Sequence, residues 1–415
     1  EPPKLISYRQ HNENSMLNFR RELGNIYRNG LNTLSNDDFV AHVMALYNKH
    51  IPERFKYVRG NDGPFMTKEL RKSIMTRSKL RNRLNRDKTL QASLAYKEQR
   101  NKCTKLLKQA KKAYYGALKP ETIKDNKKFW KSVKPLFTDK VQANIGIALA
   151  EGNDILHEDQ QVANTFNNFF STAVTNLGIR TIDNTLAMPP DSDDCTLACI
   201  EKYRNHPSIV NIKGLMARHH VNQDFNFSPI DIQTIYSEIN RLSASKSSPK
   251  DSIPANIIKD NSDIFAKKIH IDFQRAIHDG YFPENLKLAD VSPIFKKGNR
   301  LDKSNYRPVS ILSPLSKIFE RLLFAQINGY MDSKLSTFQC GFRKNMSTQN
   351  CLLFIIEKWK KCLDKKGAAG ILLTDLSKAF DSLDHELLIA KLEAYGFKYD
   401  SLKLIHSYLS NRYQR

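Results

Sequence analysis

The sequence predicts an α+β protein in which a mainly helical basic region precedes a region of mixed helices and short strands. Three observations support this class. Apolar residues recur at helical spacing through much of the chain, one long stretch is crowded with cations, and the strand-like apolar runs lie in the C-terminal half. With 415 residues, the chain is long enough for two or three domains with ample core.

The charge balance points to a polyanionic partner. The chain carries 66 Lys and Arg against 43 Asp and Glu, a formal net charge of +23, which suits nucleic acid first and an anionic membrane second. No run of about 18 apolar residues occurs, so no membrane span is expected. Residues 1–4 include no initiator Met and do not resemble a signal peptide, so we expect an excerpt of a longer product. Six widely spread cysteines indicate a reducing compartment, and we expect an intracellular protein of the nucleus, the cytoplasm or both.

Much of the positive charge lies in residues 71–120, which contain sixteen Lys or Arg and two acids. Apolar residues such as Ile74, Leu80 and Leu84 keep loosely helical spacing there, and no Gly or Pro interrupts the stretch before Gly116. The pattern predicts one or two long basic helices, which could form a helical hairpin.

We expect these basic helices to contact phosphates, an interaction that is independent of base sequence and weakens with salt. The alternative is a solvated helix face that keeps the protein soluble. Tyr96, Tyr114, Tyr115 and Trp130 lie among or just beyond the charges and could stack on unpaired bases. The predicted nucleic-acid contacts are Arg71, Lys72, Arg77, Lys79, Arg81, Arg83, Lys111 and Lys112.

Apolar spacing predicts the remaining helices. They cover about 39–47, 229–242, 256–279, 317–335 and 348–363, followed by two short helices near 388–395 and 402–409. Gly280 is expected to end the helix at 256–279 in a left-handed conformation. Residues 207–227 are expected to form a connector.

A cationic β-hairpin is predicted, with one strand at 288–297 and the other at 305–312. Lys296, Lys297 and Arg307 would lie near its mouth, where cations from facing strands suit a triphosphate. An exposed basic hairpin without a ligand explains these residues equally well.

An acid follows the last predicted strand. Residues 368–373 form a short apolar run that is fit for a buried strand, and Asp375 comes directly after it. A strand that ends in an acid is a common way to hold a metal ion on a rigid support. Taken alone, however, Asp375 is more simply explained as a solvated acid.

Four motifs in this order resemble the reverse transcriptase of non-LTR retrotransposons, the jockey-like and related elements. They are KDSIP at 250–254, NYRPVS at 305–310, QCGFR at 339–343 and DLSKAFDSLDH at 375–385. Each motif alone is weak to moderate, but their order and spacing make the resemblance strong from about residue 228 to residue 415. Residues 1–225 resemble less sharply the basic region that joins an endonuclease to the polymerase in these elements.

The resemblance implies a right-hand polymerase fold. Residues 228–366 would be the fingers, residues 367–415 the start of the palm, and residues 1–227 a mainly helical basic linker that binds nucleic acid. The implied activity is RNA-directed DNA polymerisation, a nucleotidyl transfer. Its partners would be an RNA template, a DNA target or primer, and deoxynucleoside triphosphates.

The resemblance also implies a metal site that includes Asp375. This residue matches the first catalytic aspartate, which would bind two Mg²⁺ ions together with the backbone carbonyl of Leu376. Two such ions activate the primer hydroxyl and hold the leaving pyrophosphate. Phe380 matches the aromatic residue that lies under the incoming sugar and excludes a ribose 2′-hydroxyl.

Four cations match positions near the incoming nucleotide. Arg307 would bind the triphosphate, with Lys296 or Lys297 as its companion, and the resemblance leaves open which lysine this is. Arg343 would lie near the nucleotide and the template. Such cations would position the triphosphate and offset its charge.

One departure from the family limits the expectation. The family places further metal-binding aspartates in an Ala-Asp-Asp loop after the first motif, and no such loop follows Asp375 in this sequence. We therefore expect this polypeptide alone to lack polymerase activity. Two alternatives remain open, namely a non-catalytic nucleic-acid-binding remnant and an intron maturase-like protein.

Overall fold

The computed structural model describes most of the chain. The described residues are 4–28, 30–58, 65–118, 121, 124, 126, 129–130, 132–133, 147–152, 154–172, 194–218, 224–243, 247–375, 379 and 382–415. Contacts divide the chain into two compact units, which we describe separately. One comprises Glu1–Arg9 and Glu53–Gly146, and the other comprises Gln10–Pro52 and Ile147–Arg415.

Many helices and a few short strands make up the described residues, which confirms the predicted mixed class. The first elements are β1 (Lys4–Arg9), α1 (Glu13–Arg28), α2 (Asn36–His50), β2 (Glu53–Val58), α3 (Lys68–Asp87), α4 (Leu90–Gly116), β3 (Leu149–Glu151), β4 (Asp154–Leu156), α5 (Asp159–Thr172), α6 (Cys195–Lys202) and α7 (Pro207–Arg218). They are followed by α8 (Ile232–Asn240), α9 (Ala255–Asp260), α10 (Ser262–Asp279), β5 (Leu288–Phe295), β6 (Tyr306–Leu312), α11 (Pro314–Met331), α12 (Thr348–Asp364), α13 (His385–Ala394), α14 (Tyr399–Leu409) and β7 (Tyr413–Gln414). Short 3₁₀ turns occupy Glu284–Leu286 and Lys303–Asn305.

The first unit contains an antiparallel pair of strands and a helical hairpin. Strands β1 and β2 pair, and α3 packs along α4. Thr67 and Thr89 cap the two helices, since their hydroxyl oxygens accept hydrogen bonds from the backbone N–H groups of Leu70 and Ala92. Lys88 reverses the chain between the helices in a left-handed conformation, with φ of 43°. The predicted pair of long basic helices is therefore confirmed.

The second unit is built around one large apolar core. Its largest fully buried side chains are Phe19, Phe39, Phe265, Phe273, Phe282 and Phe319. Helix α2 is part of this core, since the Phe39 and Phe265 rings pack edge to face with centroids 5.5 Å apart. Residues 10–52 thus fold in the same compact unit as residues 147–415.

The second unit also contains a three-stranded sheet with the order β6-β5-β7. Strands β5 and β6 are antiparallel and pair Ile294 with Arg307 and Phe295 with Tyr306. The predicted cationic hairpin is thereby confirmed. Strand β7 adds in parallel on the other edge of β5.

One face of this sheet is covered by β3, β4 and α5. Phe166 of α5 lies against Tyr306, with ring centroids 4.9 Å apart, and Phe295 lies 5.4 Å from Tyr306 on the same side. Leu149 is completely buried in the same small cluster. The backbone N–H of Ala150 donates to the carbonyl of Leu301 at 2.8 Å, which ties the cover to the hairpin turn.

The strand predicted at 368–373 is wrong. These residues form neither helix nor strand, and Ile371, Leu372 and Leu373 are 55%, 88% and 87% exposed. An apolar strand needs a neighbour for its backbone N–H and carbonyl groups, and none of the described strands runs beside this segment. Asp375 therefore does not end a buried strand.

Two predicted helix boundaries also need correction. The helix predicted at 256–279 is interrupted at Asn261, whose side-chain amide donates to the carbonyl of Ile257 at 2.8 Å. Its end at Gly280 is confirmed, with φ of 64°. Part of the predicted connector at 207–227 is helix α7, in which Pro207 occupies the first turn, where proline needs no hydrogen-bond partner for its nitrogen. None of the described helices is long and apolar enough to cross a membrane.

Replacing Phe166 by Ala should loosen the cover of the sheet. This side chain is 4% exposed, and truncating a buried Phe costs about 3–5 kcal/mol of unfolding free energy. Phe324→Ala is the matched control, because Phe324 is 62% exposed and its loss should cost about 0.5 kcal/mol or less. Urea unfolding of the two variants measures the difference, and equal midpoints would contradict the packing.

Candidate functional site

The β5–β6 hairpin presents two predicted nucleotide-binding cations on its open face. Side chains alternate across a strand, so the covered positions of Phe295 and Tyr306 put Ile294 and Arg307 on the opposite face. Lys296 continues this face, since its backbone N–H donates to the carbonyl of Asn305 at 2.9 Å. Lys296 is the diagonal neighbour of Arg307 on this face, and residues in such positions lie roughly 7–8 Å apart between Cα atoms.

Lys296 and Lys297, the two candidate companions of Arg307, differ in position. Lys296 continues the ladder, whereas Lys297 lies in the turn beyond it, and both are exposed. Lys296 and Arg307 form no ion pair with another described side chain, so their charges face solvent. Asp290 belongs to the same face but is held by Arg415, whose Nε donates to its carboxylate at 2.7 Å. The open face is therefore cationic near the turn.

The side chain of Arg343 is hydrogen-bonded within its own loop, residues 332–347, which connects α11 to α12. Its Nε donates to the Asp332 carboxylate at 3.1 Å, one terminal nitrogen donates to the Ser336 carbonyl at 3.0 Å, and the other donates to the Asp332 carbonyl at 2.9 Å. The Arg343 side chain is only 13% exposed. Arg343 thus closes the loop before α12 by bonding its first residues, Asp332 and Ser336. A phosphate group would have to compete with these acceptors for the guanidinium.

Asp375 lies on an exposed segment without regular structure, and it forms no ion pair with the other described residues. Leu376 and Phe380 lie outside the described residues. Across the described part of the chain, no three His, Cys, Asp or Glu side chains converge to hold a metal ion. A carboxylate is the ligand type that Mg²⁺ prefers, but one exposed carboxylate does not by itself form a metal site.

Helix α13, which follows the segment around Asp375, is supported by a contact that the sequence does not predict. Asp384 caps α13, because one carboxylate oxygen accepts from the Leu387 N–H at 2.9 Å. The other oxygen accepts from the Tyr203 hydroxyl at 2.9 Å, and burial, with this bond as a second cause, raises the pKa of Tyr203. Tyr203 directly follows α6, and nothing in the sequence pairs it with Asp384.

The predicted phosphate-contacting residues lie on the α3–α4 hairpin. Six of them are exposed, namely Arg71, Lys72, Lys79, Arg81, Arg83 and Lys112. Arg77 and Lys111 are partly buried, and the Lys111 ammonium lies 5.1 Å from the centre of the Phe65 ring. Arg83 pairs with Asp87 one turn along the helix, at 3.3 Å.

Comparison with known proteins identifies the C-terminal part of the chain. Residues 294–415 match the family described as Reverse transcriptase (RNA-dependent DNA polymerase). This part of the chain is therefore similar to reverse transcriptases. Enzymes of this family generally use divalent metal ions.

Curated relatives place this part among transposon proteins. The RNA-directed DNA polymerase from mobile element jockey of Drosophila funebris is 28% identical over 169 residues, which is 40% of this chain and 18% of the relative. Probable RNA-directed DNA polymerases from transposon BS and transposon X-element of Drosophila melanogaster are 28% identical over 187 residues and 32% over 147 residues. These alignments cover 44% and 35% of this chain, and 20% and 16% of the relatives. The chain thus spans a fifth or less of each relative, and the resemblance to non-LTR retrotransposon reverse transcriptases is confirmed over part of the chain.

The reverse transcriptase match includes every residue predicted to bind nucleotide or metal. It begins within β5 at residue 294 and contains Lys296, Arg307, Arg343 and Asp375. The basic hairpin lies outside it. Residues 66–127, which contain α3 and α4, match a different family, described as Female sterile protein K10 C-terminal domain.

Arg343→Met should release the loop before α12. Hydrogen bonds from a charged group contribute about 1.5–3 kcal/mol each, so backbone amides at 333–346 should exchange with deuterium at least tenfold faster. Lys344→Met is the matched control, since it removes one charge from the exposed neighbouring side chain. Equal exchange rates in the two variants would show that Arg343 does not close this loop.

Proposed function

We propose that residues 147–415 form the nucleotide-binding part of an RNA-directed DNA polymerase of a non-LTR retrotransposon. The observation that carries this proposal is the open cationic face of the β5–β6 hairpin, which lies within the residues that match the reverse transcriptase family. Its substrates would be deoxynucleoside triphosphates, copied from an RNA template onto a DNA primer. Residues 228–366 would act as the fingers and residues 367–415 as the start of the palm.

Lys296 and Arg307 would bind the triphosphate from adjacent strands. Arg307 offers a planar set of donors that matches phosphate oxygens in pairs, and Lys296 adds a compact charge beside it. The packing of β3, β4 and α5 on the covered face holds β5 and β6 in place. The two cations therefore have fixed positions before the nucleotide binds. Preorganised charge of this kind lowers the free energy of the transition state in phosphoryl transfer.

Asp375 would supply one carboxylate to a pair of Mg²⁺ ions, with the Leu376 carbonyl beside it and Phe380 under the sugar. The described residues do not complete such a site, so we assign Asp375 no separate step. Arg343 would act through the loop that it closes, which would border the nucleotide and the template. These roles rest on the motifs at 339–343 and 375–385.

The basic α3–α4 hairpin would hold nucleic acid, within the linker role assigned to residues 1–227. Its cations are exposed, and phosphate contact by Lys and Arg is independent of base sequence.

A second function is favoured by the exposed carboxylate of Asp375, which no other carboxylate of the described residues joins. A protein that binds nucleic acid without polymerising would need the basic hairpin and no metal site. Because this chain alone is expected to lack polymerase activity, nucleotide binding is the deciding measurement. Binding of a deoxynucleoside triphosphate that Lys296→Gln or Arg307→Gln weakens would decide for the polymerase. Binding of nucleic acid without binding of the triphosphate would decide for this second function.

Nucleotide binding should depend on Lys296 and Arg307 but not on Lys297. Lys296→Gln and Arg307→Gln each remove a charged phosphate contact, so the Kd for a fluorescent deoxynucleoside triphosphate should rise about tenfold or more. Lys297→Gln is the matched control, because it removes the same charge from the next residue and should change the Kd less than about twofold. Fluorescence titration measures all three variants. Equal losses for Lys296→Gln and Lys297→Gln would show a diffuse charge effect and contradict the site.

A further inference from the structure

Contacts between α3 and α4 fix which sides of the two helices face each other. We call this contact line between the helices the seam. Helix α4 turns Ala92, Gln99 and Cys103 towards α3, at intervals of seven and four residues. The Gln99 amide donates to the Ser73 carbonyl at 2.9 Å and to the Ser73 hydroxyl at 2.8 Å. The Ser73 hydroxyl also lies 3.1 Å from the Cys103 sulfur. Polar contacts inside an apolar seam fix the register, so they also determine which residues face outwards.

The outward side of α3 is a stripe of cations. It runs along the helix opposite the seam and is formed by Lys68, Arg71, Lys72, Lys79, Arg83 and Arg86. The two acids of α3, Glu69 and Asp87, lie at the edge of the stripe and not within it. From Lys68 to Arg86 the stripe is roughly 27 Å long, at about 1.5 Å per residue.

The aromatic side chains of α4 are not part of this stripe. Tyr96 and Tyr114 follow the seam spacing of Ala92 and Cys103 and are partly buried. Tyr115 packs edge to face on Tyr114, with ring centroids 5.1 Å apart. Single-stranded nucleic acid gains about 1–3 kcal/mol for each base stacked on an aromatic ring, and the stripe offers no ring for such stacking.

We propose that the stripe on α3 binds double-helical nucleic acid along its phosphates and prefers it to single strands. The inference rests on the proposed nucleic-acid binding of the hairpin and specifies its substrate. A straight, mainly cationic surface responds to the charge density of its partner. A duplex carries one charge per about 1.7 Å of axis, twice the density of one strand, and it releases more counterions per phosphate bound.

The stripe sets an expected salt dependence. If its six cations each neutralise one phosphate, the logarithm of the binding constant should fall with the logarithm of salt concentration with a slope of about −5.4 for a duplex. The corresponding slope for a single strand would be about −4.2. Each cation removed should reduce the duplex slope by about 0.9.

The experiment titrates the whole chain with a labelled 20-base-pair duplex and with the matching single strand, at several salt concentrations. Lys72→Gln with Lys79→Gln removes two stripe cations that form no side-chain bond with described residues. Lys360→Gln with Lys365→Gln is the matched control, because it removes two exposed cations from the end of α12 and the residue after it. Circular dichroism checks that both double variants keep their helix content.

Three results together support the proposal. The duplex binds at least tenfold tighter than the single strand, the stripe variant lowers the duplex slope by about 1.8, and the control variant leaves that slope unchanged. Equal or tighter binding of the single strand overturns the duplex preference. If the stripe variant then weakens both forms equally, the proposed binding of nucleic acid stands without that preference. An unchanged slope in the stripe variant overturns the assignment to α3, whatever the nucleotide titrations show.

Discussion

The antiparallel ladder between β5 and β6 is the constraint on which the proposed nucleotide site depends. Because successive side chains of a strand point to opposite faces, burying Phe295 and Tyr306 against α5 directs Arg307 to the open side. A shift of one residue in the register of β6 would bury Arg307 under Phe166 and expose Tyr306. An uncompensated buried charge is costly, so the apolar cover also selects the register that presents the cation.

The cover comes from a part of the chain that the reverse transcriptase family does not match. The match begins at residue 294, whereas Leu149 and Phe166 precede it by more than a hundred residues. The region between the basic hairpin and the family match therefore has a structural role in holding the sheet. The positive charges of the chain lie partly outside and partly inside the family match. The α3–α4 hairpin carries the stripe of cations outside the match, and the sheet carries a small cationic patch within it.

The sequence predicted those helices and strands that depend on interactions between residues close together in the chain. Helices α10, α11 and α12 follow from apolar spacing and caps, and the cationic hairpin follows from two apolar runs around a turn. Contacts between distant residues were not predictable in the same way. The segment at 368–373 has the composition of a strand, but a strand forms only where another lies beside it. Likewise, nothing near Arg343 in the sequence shows that Asp332 would hold it, and only the ladder distinguishes Lys296 from Lys297.

The central claim is that the open face of the β5–β6 hairpin is where the nucleotide binds. Photo-crosslinking with a dATP analogue that carries an azidoanilide on its γ-phosphate, followed by peptide mass spectrometry, tests it most directly because it reports the position of the triphosphate rather than affinity. The account predicts adducts within residues 292–309 that disappear in excess unlabelled dATP. Adducts confined to α3 and α4, or adducts at 292–309 that persist in excess dATP, would contradict it.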